Sequence, residues 1–462
     1  MSQFEQYQSP FSWRYGSPEM RYLWSETQKR RLWRQIWVAL ATVESEFGLV
    51  TPEQVSELKA HADQIDLERA LEIEAEIQHD LMAELKTFAE VCPTAGGIIH
   101  LGATSMDIED NADALRLRAA LEIILASLRK VLLAFADKIE ENAALPVMAF
   151  THLQPAEPST LGYRFAIYAQ DLFNDWRQLQ NVHAAICGKG FKGAVGTAAA
   201  YGDLLGLEHF EVFEARLSQE LNLPFYPVST QTYPRKQDYI VISTLAGLGA
   251  SLHKFAFDIR FLQSPPIGEV SEPFGRMQVG SSAMPFKRNP INAEKIDSLA
   301  RQLSVYPQIA WQNAANSLLE RTLDDSANRR TILPEAFLIC DELLRVTLKI
   351  IQNLEIRSDA IERNLKTYAP FACTERVMML VSKHGADRQA IHERLREHAL
   401  AAWQDVQAGK PNPLVDYILA DPEILKYASK AELERIADVS GYTGIAAERA
   451  LKIATEIRHT FA

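Results

Sequence analysis

Residues 265–290 read PPIGEVSEPFGRMQVGSSAMPFKRNP, with five prolines and three glycines in 26 positions. The sequence around this stretch is built differently. Residues 103–145 and 163–187 contain no Gly or Pro, and residues 237–264 contain only Gly247 and Gly249. A further stretch follows Ile291, where Pro307 reads as a kink, and another runs from near Pro334 to about Lys366. Apolar residues recur through these stretches at helical spacing, as in Leu121, Ile124, Leu125, Leu128, Leu132, Phe135 and Ile139. The proline-rich stretch is therefore one long loop set among long helices. The expectation is an all-α fold whose centre is an elongated bundle of five helices. A helix of about 30 residues is about 45 Å long, more than one compact layer needs, so stripes of this length predict partner subunits.

Outward from that centre the chain divides into three parts: an N-terminal helical domain (1–110), the central bundle with its loop 265–290 (111–365), and a C-terminal domain of shorter helices (366–462). In the first part, Leu32, Ile36, Leu40, Val43 and Phe47 make one apolar helix face, with Gly48 as its stop. Thr51-Pro52-Glu53-Gln54 opens the next helix as a capping box. A loop is expected at 409–413. Strand signals are weak, with one short extended piece expected around Phe225–Val228.

Composition excludes several classes. Of 462 residues, 47% are hydrophobic and 23% charged, so wholesale disorder is ruled out. The net charge is −12 and no basic run occurs, which argues against a nucleic-acid partner. Cys92, Cys187, Cys340 and Cys373 are far apart and form no CxxC, so they read as thiols of a reducing compartment rather than as a disulfide framework or zinc site. The N-terminal MSQFEQYQSPF has no charged start and no apolar run, so no secretory leader is expected. No stretch of about 18 uncharged apolar residues occurs, so no membrane span is expected. The expected setting is cytoplasmic.

Chemistry concentrates at the end of the loop, Gly280 to Pro290, with two hydroxyls, two cations and an amide. That set suits binding and polarising a carboxylate. A serine acts as a base only where charge and N–H groups stabilise its alkoxide, and Lys287 is near enough in sequence to help. Composition alone also allows a plain linker.

The pattern GSSxMPxKxNP resembles the signature of the fumarase/aspartase superfamily. The finer resemblance is to its adenylosuccinate lyase branch, in the form found in animals. It rests on six segments in that family's order: Arg14-Tyr15-Gly16-Ser17-Pro18-Glu19-Met20; Gly102-Ala103-Thr104-Ser105 with Asp107 and Asp110; Thr151-His152-Leu153-Gln154-Pro155-Ala156; Gln231-Thr232-Tyr233 with Arg235-Lys236; the signature itself; and Arg321 to Arg330, RTLDDSANRR. The last hundred residues match least. The resemblance implies a three-domain, all-helical homotetramer whose sites are shared between subunits. It implies β-elimination of fumarate from adenylosuccinate and from SAICAR, without cofactor or metal.

Roles follow from the resemblance. Ser281 corresponds to the general base that removes the β-proton, with Ser282 as its neighbour in the motif. Lys287 and Asn289 would meet the carboxylate on which negative charge develops. His152 corresponds to the general acid, a role suited to a group titrating near neutrality, and Glu294 would orient it. On its own, His152 would read as a core histidine and Glu294 as a solvated carboxylate. The implied substrate carries a phosphate and two carboxylates. Arg14, Lys295, Arg321 and Arg330 are the cations for it, Thr104, Ser105, Gln231 and Ser326 the hydrogen-bonding groups, and Tyr15 either a cover over the base or a contact to the phosphate. Gln78-His79-Asp80 resembles a segment that places His79 and Asp80 at the substrate. Gln78 and Lys295 both stand where the family carries arginine, and an ammonium loses the bidentate fork. The same signature also fits other fumarate-releasing lyases such as argininosuccinate lyase, or a catalytically silent scaffold.

Overall fold

The computed structural model describes residues 5–439 and 441–462. Met1–Phe4, part of the N-terminal stretch read above, lie outside the described residues. The chain is predominantly helical, with two small two-stranded sheets. It divides into two compact units. One comprises residues up to Leu128, Asp175–Ala250 and Ser298–Arg345; the other comprises Arg129–Asn174, Ser251–Asp297 and Val346–Ala462.

The breaker-free stretches are helices. Ser105–Glu141 is 37 residues, Leu161–Ala185 is 25 and Lys236–Gln263 is 28. Two expectations are corrected. Pro307 does not kink a helix; it sits in the first turn of a new one, Tyr306–Ala315, after Ile291–Leu303 has ended. That is where proline's missing N–H costs nothing. Pro334 does not start a helix either. The helix is Asp324–Gln352, with two aspartates in its first turn and Pro334 inside it. Proline there leaves the Arg330 carbonyl without its usual donor.

The Lys236–Gln263 helix is long and apolar enough to cross a membrane by length and composition, although it contains no fully uncharged run of that length. Several of its apolar residues are instead core. Val241, Leu245 and Leu248 are fully buried, as are Leu252, Phe255 and Ile259 further along.

In the first unit the Glu26–Glu46 helix packs Trp33, Ile36, Trp37, Leu40 and Val43 against Leu81, Phe88, Ile108 and Phe213. Gly48 follows that helix at φ +75, and Thr51 and Gln54 form the expected capping box. Each buried Leu, Ile or Phe contributes about 1.5–3 kcal/mol. In the second unit, Phe135, Tyr168 and Phe255 meet edge to face, at 5.1 Å for Phe135–Phe255 and 5.5 Å for Tyr168–Phe255. The C-terminal core gathers Cys373, Val377, Ile391, Leu395, Leu414 and Leu433. The extended piece near Phe225 is present as a single bridge to Gly188.

A β-hairpin was not foreseen. Pro146–Thr151 pairs antiparallel with Gln154–Thr160, through a two-residue turn at His152 and Leu153. Three prolines in those strands hid the pattern, since proline weakens a strand reading. All four cysteines are free; three are buried and Cys187 is partly exposed.

Candidate active site

The first unit contains a cleft of about 440 Å³ into which four segments, distant in sequence, bring their side chains. His79 and Asp80 come from the start of the Asp80–Glu90 helix. Thr104 and Ser105 come from the start of the Ser105–Glu141 helix, and Gln231 from the turn before Lys236. Arg321, Ser326 and Arg330 come from the start of the Asp324–Gln352 helix and the turn before it. Eight residues singled out by motif thus share one wall.

Local chemistry fixes each of them. Gln78 ends its helix in the left-handed conformation (φ +54), which turns the chain so that His79 caps the next helix. The Met82 N–H donates to His79 Nδ1 at 3.4 Å, so in the neutral ring Nε2 carries the proton. Asp80 accepts from Arg330 at 3.0 Å, and Asp325 accepts from Arg321 at 3.0 Å. The Gln231 N–H donates to the Glu320 carbonyl at 3.1 Å. Asp107 accepts from the Thr104 N–H at 2.8 Å and is itself held by Lys189 and by the Lys192 and Gly193 N–H groups. Two guanidiniums, with the N-termini of the Asp80–Glu90 and Ser105–Glu141 helices, make this wall a site for anions.

The sequence reading missed Glu109, which lines the same cleft. Burial, reinforced by Asp80, Asp110 and Asp113, pushes its carboxyl up to about 8. The raised carboxyl favours the protonated form near neutrality, which opposes an anionic ligand less than a carboxylate would. It belongs to a quoted motif, one position from Asp110, but that motif pattern gives its position no role.

Below the cleft lies a charged layer that the motifs contained but to which the sequence reading gave no role. Arg235 donates to Asp325 at 2.6 Å and to Asp110 at 3.0 and 3.1 Å. Arg329 donates to Asp238 at 2.8 Å and to Asp113 at 3.1 Å, and Arg116 donates to Asp113 at 3.4 Å. Burial alone would raise the Asp325 carboxyl, but Arg235, Arg329 and Arg321 outweigh it and hold it below the usual carboxylate range. Removing one partner from such a layer costs about 3–5 kcal/mol.

The second unit carries the other predicted residues. The loop 265–290 has two parts. Glu269 is buried against Arg164 (2.9 Å) and Asn364 (3.1 Å). Glu272 is buried and accepts from the Asn292 and Ala293 N–H groups at 3.1 and 2.9 Å, capping the Ile291–Leu303 helix. Beyond Pro273 the chain is mostly exposed, with Met277 at 90% and Phe286 at 84%. Ser281 Oγ accepts from the Met284 N–H at 3.1 Å, and Asn289 Nδ2 donates to the Gly280 carbonyl at 3.0 Å. Gly280 must be glycine, because a Cβ there would collide with the Lys287 carbonyl and lie 3.1 Å from the Phe274 ring. Lys287 is exposed and has no ion pair among the described residues.

His152 sits at the hairpin turn with φ +52, and Leu153 follows at φ +60. Left-handed non-glycine residues store roughly 1–3 kcal/mol each and cluster at functional positions. His152 is exposed and, among the described residues, makes no side-chain hydrogen bond. Leu153 and Gln154 line a cavity of about 510 Å³ with Tyr168, Phe257 and Phe261. Within the chain Glu294 does not meet His152; its carboxylate lies 3.9 Å from Arg260, which also binds Asp297 at 2.7 Å. In the first unit, Arg14 lies over the Trp13 ring at 5.6 Å and Tyr15 against Phe11 at 5.7 Å; neither lines the cleft. Their segment is pinned by the Gly16 and Ser17 N–H groups, which donate to Glu342 and Asp341.

Known proteins match this chain over its length. A family model described as a lyase matches residues 14–304, and one described as adenylosuccinate lyase C-terminus matches residues 370–450, the part where the motifs were weakest. An adenylosuccinate lyase of Schistosoma mansoni is 41% identical over 91% of this chain and 89% of its own length. One of Saccharomyces cerevisiae is 40% identical over 98% and 95%, and one of Schizosaccharomyces pombe is 38% identical over 97% and 94%. Among solved structures, the 3-carboxy-cis,cis-muconate lactonizing enzyme of Pseudomonas putida superposes with a TM-score of 0.86 at 25% identity, covering 99% of this chain and 100% of that one. A fumarate lyase of Mesorhizobium shares the fold with a TM-score of 0.85 at 23% identity, covering 97% and 99%. The chain belongs to the adenylosuccinate lyase family, a family of carbon–nitrogen lyases within the fumarase/aspartase superfamily.

Proposed function

We propose that the chain splits adenylosuccinate to AMP and fumarate, and SAICAR to AICAR and fumarate. The observation that carries this is the cleft, where eight motif residues form an anion-binding wall, in a chain about 40% identical to adenylosuccinate lyases. The phosphate and carboxylates of such substrates suit Arg321, Arg330 and the two helix N-termini.

In the proposed steps Ser281, as alkoxide, takes the β-proton of the succinyl group. The electron pair moves onto the adjacent carboxylate, which Lys287 and Asn289 meet. It then returns to form the fumarate double bond as the C–N bond breaks, and His152 protonates the leaving nitrogen. Glu294 orients His152, Arg14, Tyr15 and Lys295 complete the substrate contacts, and no cofactor takes part.

His152 and Ser281 lie on exposed turns, and Glu294 does not reach His152 within its own chain. Exposed apolar residues Tyr163, Ile167, Phe257 and Phe261 favour covering by further copies. This supports a homotetramer whose sites combine residues of different subunits. Four free cysteines favour the cytoplasm.

The test is the fall in ultraviolet absorbance when adenylosuccinate meets the purified protein, with fumarate measured as it is released and argininosuccinate and aspartate as controls. Turnover of a control but not of adenylosuccinate moves the chain to another branch. No turnover of any of the three leaves a silent scaffold.

A further inference from the structure

Some charged residues of the motif segments neither line the cleft nor take part in the steps above. Asp325 stands out among them because it faces both ways. One carboxylate oxygen accepts from Arg321 in the cleft at 3.0 Å, and the other accepts from buried Arg235 at 2.6 Å. Its side chain is 2% exposed, so it cannot itself reach a ligand. Arg235 is held on its far side by Asp110, whose own oxygen accepts from the Tyr233 N–H at 2.7 Å. Arg235 Nη2 is buried and has no hydrogen-bond partner among the described residues, so the guanidinium's hydrogen bonds go to these two carboxylates, while its centre lies 4.8 Å from the Tyr233 ring. Arg321 is four residues before Asp325, and its guanidinium would otherwise be free to swing on a flexible stem.

We propose that Asp325 is the positioning residue for Arg321, fixing the cleft guanidinium against the Arg235–Asp110 pair so that it meets the anionic substrate without reorganising. The inference rests on the cleft being the substrate site. An arginine held in place before binding loses less rotamer freedom when it binds, so the effect belongs to affinity and not to the bond-breaking step.

The test is a cycle of four proteins: wild type, Asp325→Asn, Arg321→Ala and the double variant. Each is assayed for KM and kcat on adenylosuccinate and for AMP binding by calorimetry. Asp325→Asn is expected to raise KM and the AMP Kd about tenfold, with kcat within about threefold. In the Arg321→Ala background it is expected to add less than twofold, because there is no guanidinium left to position. Effects that multiply in full, or a fall in kcat at unchanged KM, overturn the proposal. If Asp325→Asn melts below the assay temperature, Asp325→Glu replaces it; it keeps the charge and moves the carboxylate by one methylene, and the same pattern is expected. A wild-type protein that binds AMP but leaves adenylosuccinate intact refutes the proposed reaction, while the calorimetric cycle still decides the role of Asp325.

Discussion

The cleft of the first unit and the exposed half of the loop in the second are made of the same residue types and are built in opposite ways. In the cleft both arginines already hold carboxylate partners, the histidine caps a helix, and a buried layer of four carboxylates and their guanidiniums lies beneath. In the loop, among the described residues, Lys287 has no ion pair and the hydroxyl of Ser281 is tied only to the backbone three residues on. The first part of that loop, by contrast, is anchored through Glu269 and Glu272. Binding an anion gains from charges fixed in advance. The proposed serine base and the lysine proposed to meet the carboxylate would need a second surface to complete them, and the anchored half fixes where the free half begins.

This contrast can be broken experimentally. Ser281→Ala should lower kcat by about 10²-fold or more while AMP affinity by calorimetry stays at the wild-type value; equal loss of both would mean that the two regions are not separable. Gly280→Ala should lower kcat by up to about 10²-fold, since the new Cβ displaces Lys287, again with AMP binding retained. Arg330→Ala acts on the other side: KM should rise about tenfold with kcat less affected, measured by steady-state kinetics.

The smallest effect concerns the stability of the fold. Glu44 is buried, with one carboxylate oxygen unpartnered, and burial pushes its carboxyl up to about 8. Between its ordinary value of 4.5 and about 8, the folded chain keeps a proton that the unfolded chain has released, so this group makes stability fall as pH rises through that window. Glu44→Gln should raise the urea midpoint at pH 8, with the gap to wild type closing towards pH 5. A gap that widens on acidification would sink the assignment.

The sequence made much of this legible, because long helices announce themselves by the absence of breakers. The ends of Ser105–Glu141 and Lys236–Gln263 were readable to within a few residues. Pro307 and Pro334 misled in opposite directions, one beginning a helix and the other sitting inside one, because proline forbids an N–H donor and not a helix as such. The hairpin carrying His152 was hidden by its prolines. The eight cleft residues were legible only as motifs. The layer beneath them was present in the same motifs, yet nothing in the spacing says that Asp110, Arg235 and Asp325 converge. That convergence is a property of tertiary packing, as is the raised carboxyl of Glu109.

The charged layer also bears on how the chain is made. Asp110 precedes Arg235 by 125 residues, and Asp325 comes a further 90 residues later. At the usual pace of synthesis, Asp110 is outside the ribosome about 6–25 s before Arg235 follows. Until then its carboxylate has no guanidinium to justify burial, and the helix that carries it cannot settle into the core. No nascent fragment ending before residue 330 contains all eight motif residues that line the cleft, so that wall is complete only when most of the chain has been synthesised.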